Sequence, residues 1–276
     1  MFHGLASSPK EFGLLAHPLR RHGVSLHAPS VAGYSYGEWA ESPDWSAWAD
    51  AGEAALREAV GDSPEPYVLG GLCTGAMLAL VVASRRPPPG LAGLALMSPL
   101  FSYDGWALPW WYGLRRVAYH LHLTRWFSMA ERAPYGLKNE RMRELIRQQL
   151  TKDEATLVGP ARVPLSFVRE SERLSRRARA WLPRCALPVL VQHAREDEIC
   201  SLAGVQAVLA GASLPRLTMN VLENSYHMIP ADNDRHRVAE QLVAFLGTLA
   251  LSTRASATPH APVPLMPSTP LAVPQV

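Results

Sequence analysis

Tyr67-Val68-Leu69-Gly70-Gly71-Leu72-Cys73-Thr74-Gly75-Ala76 is the stretch whose reading decides the fold. A short apolar strand signal runs into Gly-x-Cys-x-Gly and passes, without a loop, into the apolar helix signal Met77 to Ala83. A strand that enters a helix through such a turn is a nucleophile elbow, in which a strained backbone holds one side chain above the sheet. Glycine is required at 71 and 75 because the chain doubles back so sharply that a Cβ at either position would strike the adjoining strand or helix. The side chain held up is the thiol of Cys73.

Outward from the elbow, helix and strand signals alternate. Ser8 to Arg21 carries Phe12, Leu14, Leu15 and Leu19 at helical spacing, and Val24 to Ala28 reads as a short strand. Pro29 to Gly37 is a Gly- and Ser-rich loop, and Trp45 to Val60 is an amphipathic helix. After Pro87-Pro88-Pro89-Gly90 comes the buried strand signal Leu91 to Met97. Alternation then stops between about Leu100 and Arg184, a stretch that reads as mostly helical, with no obvious strand, and is opened by an aromatic cluster around Trp106, Trp110, Trp111 and Trp126. It resumes with strands Val189 to His193 and Leu217 to Leu222 and a closing helix from Arg235 to Leu249. The pattern predicts an α/β class with a mostly parallel sheet covered on both faces. The expected division is a core of residues 1–99 and 186–251, an inserted helical cap of residues 100–185, and a Pro-, Ala- and Ser-rich disordered tail of residues 252–276.

Composition narrows the function classes. Hydrophobic residues make up 48% and charged residues 18%, and no apolar run reaches the roughly 20 residues a membrane span needs. A formal charge of +3 with no nucleic-acid motif argues against a nucleic-acid partner. Three cysteines, Cys73, Cys185 and Cys200, cannot all pair and lack metal-ligand spacing, so neither a disulfide framework, a metal site nor a cofactor is expected, and a reducing cytoplasm suits a free thiol. No signal peptide is visible after Met1, and Phe2-His3-Gly4 reads as the end of a strand, with an upstream strand expected to be missing.

A thiol nucleophile needs an imidazole to manage its proton and a carboxylate to fix the imidazole's tautomer. Both residue types follow late strand signals, where parallel sheets place their sites. Val189 to His193 leads into Glu196-Asp197-Glu198, with Asp197 as the orienting acid despite its two glutamate neighbours, and Leu217 to Leu222 leads into His227 as the base. The oxyanion of an acyl-transfer intermediate needs two preorganised amides. Thr74, after the nucleophile, and Leu5, after His3-Gly4, are the candidates, with His3 shaping the loop. Cys185 and Cys200 lie in no motif and read as structural, and His17, His22, His27, His193 and His236 read as surface or strand-end residues.

His3-Gly4-Leu5, Gly71-Leu72-Cys73-Thr74-Gly75, Asp197 and His227, in that order with an insert before the acid, resemble the α/β-hydrolases, particularly capped bacterial carboxylesterases and monoacylglycerol-lipase-like enzymes. The resemblance spans residues 3–249 and implies an eight-stranded sheet lacking its first strand or two, a cap, and hydrolysis through an acyl-enzyme. The departure is cysteine where those esterases carry serine; in this it is similar to dienelactone hydrolases and polyhydroxyalkanoate synthases, whose layout and length it does not share. A small acyl ester or thioester is the expected substrate, with coenzyme A or an acyl carrier protein as donors if the cap arginines, such as Arg115 and Arg116, receive phosphates. Trp106, Trp110 and Trp111 are the expected acyl-pocket residues, with core packing as the other reading. A thioester intermediate opens to alcohols, amines and thiols as well as water, so an acyltransferase or cyclising enzyme is the rival, and a non-catalytic ligand-binding descendant the third reading.

Overall fold

The computed structural model describes residues 1–63, 65–85, 87–150, 156 and 159–257. In chain order the elements are α1 (Gly13–Arg21), α2 (Trp45–Val60), β1 (Tyr67–Leu72), α3 (Thr74–Ala83), β2 (Leu91–Met97), α4 (Arg115–His120) and β3 (Ser128–Ala130). They continue with α5 (Glu140–Leu150), β4 (Arg162–Pro164), α6 (Leu165–Trp181), β5 (Val189–Ala194), α7 (Leu202–Ala212), β6 (Leu217–Leu222) and α8 (Arg235–Ala257).

Four strands form one sheet in the order β1-β2-β5-β6, every pair parallel. Side chains alternate across it as the pleat requires. Leu94, Leu96, Val189 and Val191 face a core shared with α2, α3, α6 and α7, while Ala95, Met97 and Leu190 face a second core under α1 and α8. Helix α3 is buried along its whole length, which explains why its sequence is apolar all round. This is the α/β-hydrolase fold.

Several expectations need correction. Val24 to Ala28 is not a strand. Its apolar alternation finds no ladder, and a strand without a partner leaves its backbone groups to water. Phe2 makes a single parallel bridge to Gly71, donating to Gly70 O at 2.8 Å and accepting from Leu72 N at 2.9 Å, so among the described residues the main sheet has four strands and one bridge where an eight-stranded sheet short of its first strand or two was implied. The insert contains a strand pair, β3 and β4, antiparallel through Met129 and Val163. Helix α6, read as cap, packs against α3 and buries Phe167, Leu174 and Ala178 in the core. Finally, α8 continues through Ala257 into the stretch assigned to the tail, whose residues 258–276 lie outside the described residues.

Candidate active site

Cys73 sits between β1 and α3 with φ 57° and ψ −122°, a region that non-glycine residues avoid. Packing holds the strain in place. Cys73 N donates to Met97 O at 3.0 Å, and its carbonyl accepts from Ala76 N at 3.1 Å. A Cβ at Gly75 would collide with the carbonyl oxygens of Phe2 and His3, and one at Gly71 with the Gly75 carbonyl, so both glycines permit backbone-to-backbone contact beneath the turn.

His227 follows β6 and is almost fully buried. Its carbonyl accepts from Ser98 Oγ at 2.7 Å, and its amide donates to Glu198 Oε2 at 3.1 Å. Nδ1 lies 2.7 Å from Asp197 Oδ2, whose second oxygen accepts from Ile199 N and Cys200 N, each at 2.9 Å. With Nδ1 engaged, Nε2 is left without a partner at hydrogen-bonding geometry among the described residues. The Cys73 sulfur is near enough to favour the imidazolium, by its charge and as a hydrogen-bond acceptor.

Charge in this cluster is set by opposition between burial and pairing. Burial disfavours the His227 imidazolium, but the Asp197 carboxylate and the nearby Cys73 sulfur outweigh it and hold the imidazole well above its ordinary pKa. Burial likewise disfavours the Asp197 carboxylate, yet the charge and hydrogen bond of His227 keep it below the ordinary carboxylate range. Each member of the pair thus favours the charged form of the other.

Leu5 lies on the loop that faces the elbow. His3 is buried and neutral, its pKa pushed down to about 4 chiefly by desolvation, and its Nε2 meets Ser35 Oγ at 2.6 Å. Tyr34 donates to His3 O at 2.7 Å, and Gly4 N donates to Glu11 Oε2 at 2.7 Å. The Leu5 and Thr74 amides donate to no other group among the described residues.

These groups open on a cavity of about 530 Å³ lined by Leu5, Cys73 and His227 and, from the insert, by Trp106, Leu108 and Trp111. Trp110 does not line it; that ring is 90% exposed. The sequence shows three indoles within six residues but not which way each faces, and the Trp110–Leu114 stretch is a 3-10 turn that sends neighbouring side chains about 120° apart. Three carboxyls also converge on the cavity wall: Glu11, Glu131 and Glu198, each pushed up to about 7 chiefly by burial. Reading one stretch at a time cannot find them, because they come from three distant segments. Glu196, by contrast, points outward to Lys138 Nζ at 2.9 Å. His193 is at a strand end but fully buried, bonded to Cys200 O at 2.9 Å, rather than at the surface. Cys185 and Cys200 are buried and unpaired, and among the described residues no cluster of ligating side chains could hold a metal.

The family model described as serine aminopeptidase, S33, matches residues 1–234. No curated protein sequence matches the chain. Among solved structures it resembles a metagenome-derived lipolytic enzyme, at 19% identity and TM-score 0.69 over 90% of this chain and 91% of that one. It also resembles the monoacylglycerol lipase of Paleococcus ferrophilus, at 17% identity and TM-score 0.67 over 90% and 93% of the two chains. A third likeness is to a thermophilic esterase from Thermogutta terrifontis, at 20% identity and TM-score 0.60 over 90% and 88%. At these identities the structural likeness speaks for the fold.

Proposed function

Since the chain belongs to the serine aminopeptidase S33 family, within the α/β-hydrolases, we propose that it hydrolyses a small carboxylic ester or thioester with Cys73 as nucleophile. The observation that carries the reading is the 2.7 Å contact of His227 Nδ1 with Asp197, which leaves Nε2 without a partner at hydrogen-bonding geometry among the described residues, on the wall that Cys73 shares. Thiolate Cys73 attacks the acyl carbonyl, and the oxyanion forms against the Leu5 and Thr74 amides. The His227 imidazolium gives its Nε2 proton to the leaving group as the carbon–oxygen or carbon–sulfur bond breaks. Water then attacks the resulting thioester, His227 takes its proton, and collapse releases the acid and restores the thiolate–imidazolium pair. Asp197 stays ionised throughout and fixes the tautomer.

The apolar wall of Leu5, Trp106, Leu108 and Trp111 suits an acyl chain. A coenzyme A or carrier-protein donor would draw on the arginines of residues 100–185. Of these, Arg115, Arg143, Arg147 and Arg173 already face glutamates, which favours a small uncharged leaving group. Transfer to an acceptor other than water uses the same intermediate. The test is turnover of short-chain p-nitrophenyl esters and acyl thioesters, with intact-mass detection of an acyl adduct. Cys73→Ala should lose both turnover and adduct, and undiminished activity in that variant would sink the proposal.

A further inference from the structure

Nine of the thirteen large hydrophobic side chains exposed among the described residues fall within residues 106–127. Trp110 is 90% exposed and Trp126 70%. Leu114, Val117 and Leu121, at i, i+3 and i+7, share one side of the turn made by α4. A concentration of this kind on one short segment marks a contact surface, since scattered exposed hydrophobes need no explanation but a contiguous set does.

The charge on the segment says what the surface meets. Between Gly105 and Glu131 there are three arginines, Arg115, Arg116 and Arg125, and no aspartate or glutamate, although the whole chain is nearly balanced at 27 basic and 24 acidic residues. Arg115 is bonded to Glu172 at 2.7 Å, which leaves Arg116 and Arg125 as the exposed charges, and the Arg125 guanidinium stacks over Trp126 at 5.0 Å. Indoles and arginines side by side suit the headgroup level of a bilayer, where the ring enters the interface and the guanidinium meets phosphate. A second copy suits this face poorly, because a two-fold contact would bring identical arginines together.

We propose that the face formed by Trp110, Leu114, Val117, Leu121 and Trp126, flanked by Arg116 and Arg125, docks the protein on an anionic lipid surface. The same segment supplies Trp106, Leu108 and Trp111 to the cavity wall, so a docked molecule holds its cavity mouth against the bilayer. An apolar acyl substrate then enters without crossing water. Docking rests on the exposed face alone, whereas substrate delivery rests on the hydrolase reading above.

The experiment is co-sedimentation of the full chain with vesicles of phosphatidylcholine alone and of phosphatidylcholine with about a third phosphatidylglycerol. Trp110→Ser/Trp126→Ser and Arg116→Glu/Arg125→Glu are compared with wild type in the same vesicles. Wild type should sediment with the anionic vesicles at low salt, and each double variant should lose roughly tenfold or more in apparent partition. Both variants should hydrolyse a water-dissolved short-chain ester at the wild-type rate, which separates loss of docking from loss of fold or chemistry. Wild type left in the supernatant of both vesicle types would overturn the proposal. So would equal binding by the variants, or light scattering that shows a wild-type dimer abolished by the same substitutions.

Discussion

Glu11 Oε2 accepts the Gly4 amide hydrogen at 2.7 Å, which places an ionisable carboxyl directly behind the loop that carries the Leu5 amide. Burial pushes this carboxyl up to about 7 from an ordinary 4.5, and the Gly4 and Ser7 hydrogen bonds offset only part of the penalty. A folded-state pKa above the unfolded one means that the native chain binds the proton more tightly. The stabilisation is full below about pH 4.5, shrinks as pH rises, and is gone above about 7, a change on the order of 3 kcal/mol. Glu11→Gln keeps an acceptor for Gly4 and removes the titration, so its melting temperature should fall less than wild type's between pH 5 and pH 8. Glu11→Ala frees the loop and should lower kcat about tenfold with little effect on KM, read from ester hydrolysis at one pH.

Asp197→Asn removes the carboxylate that, against the cost of burial, raises His227. Wild-type kcat/KM should hold to well above the ordinary histidine range and decline as the imidazolium that protonates the leaving group is lost. In the variant that alkaline limb should move to lower pH, and kcat should fall by roughly 10²- to 10⁴-fold. A pH–rate profile of both proteins settles it, and an unmoved limb would disprove the coupling.

Asp232 is fully buried and accepts four backbone amides: Lys138 at 2.7 Å, Asn139 at 2.9 Å, Tyr226 at 2.8 Å and Asn233 at 2.9 Å. It ties the insert to the loop that carries His227. Asp232→Ala leaves these donors without their acceptor and should cost about 3 kcal/mol or more in urea unfolding, and should also lower kcat. Destabilisation without any change in kcat would show that the tie serves the fold alone.

Trp111 and Trp110 are neighbours in sequence, but only Trp111 lines the cavity. Trp111→Ala should raise KM for a long-chain p-nitrophenyl ester several-fold more than for a short one, in the absence of lipid. Trp110→Ala should leave the chain-length profile as it is. Equal effects of the two substitutions would mean that the indoles act through packing.

The elbow was legible because everything it needs is local: an apolar run, two glycines and a helix within seventeen residues, Tyr67 to Ala83. So was the order of strand ends that carry Asp197 and His227, since a parallel sheet delivers its loops to one edge. The insert was harder to read. Helical spacing is the same whether a helix sits in a cap or a core, and α6 became core only because α3 was there to receive Phe167 and Leu174. Ser128 to Ala130 is too short to declare itself a strand without Arg162 to Pro164 opposite it.

By itself the sequence determined the α/β-hydrolase frame and the candidate nucleophile, because glycine spacing and hydrophobic period act on neighbouring residues. Only the tertiary structure decided what surrounds that thiol. Asp197 turns inward to His227 while Glu196 turns out to Lys138, and Glu11, Glu131 and Glu198 meet from segments far apart. Their raised pKa values arise from burial, and burial is a property of the packed molecule that no single stretch of chain carries.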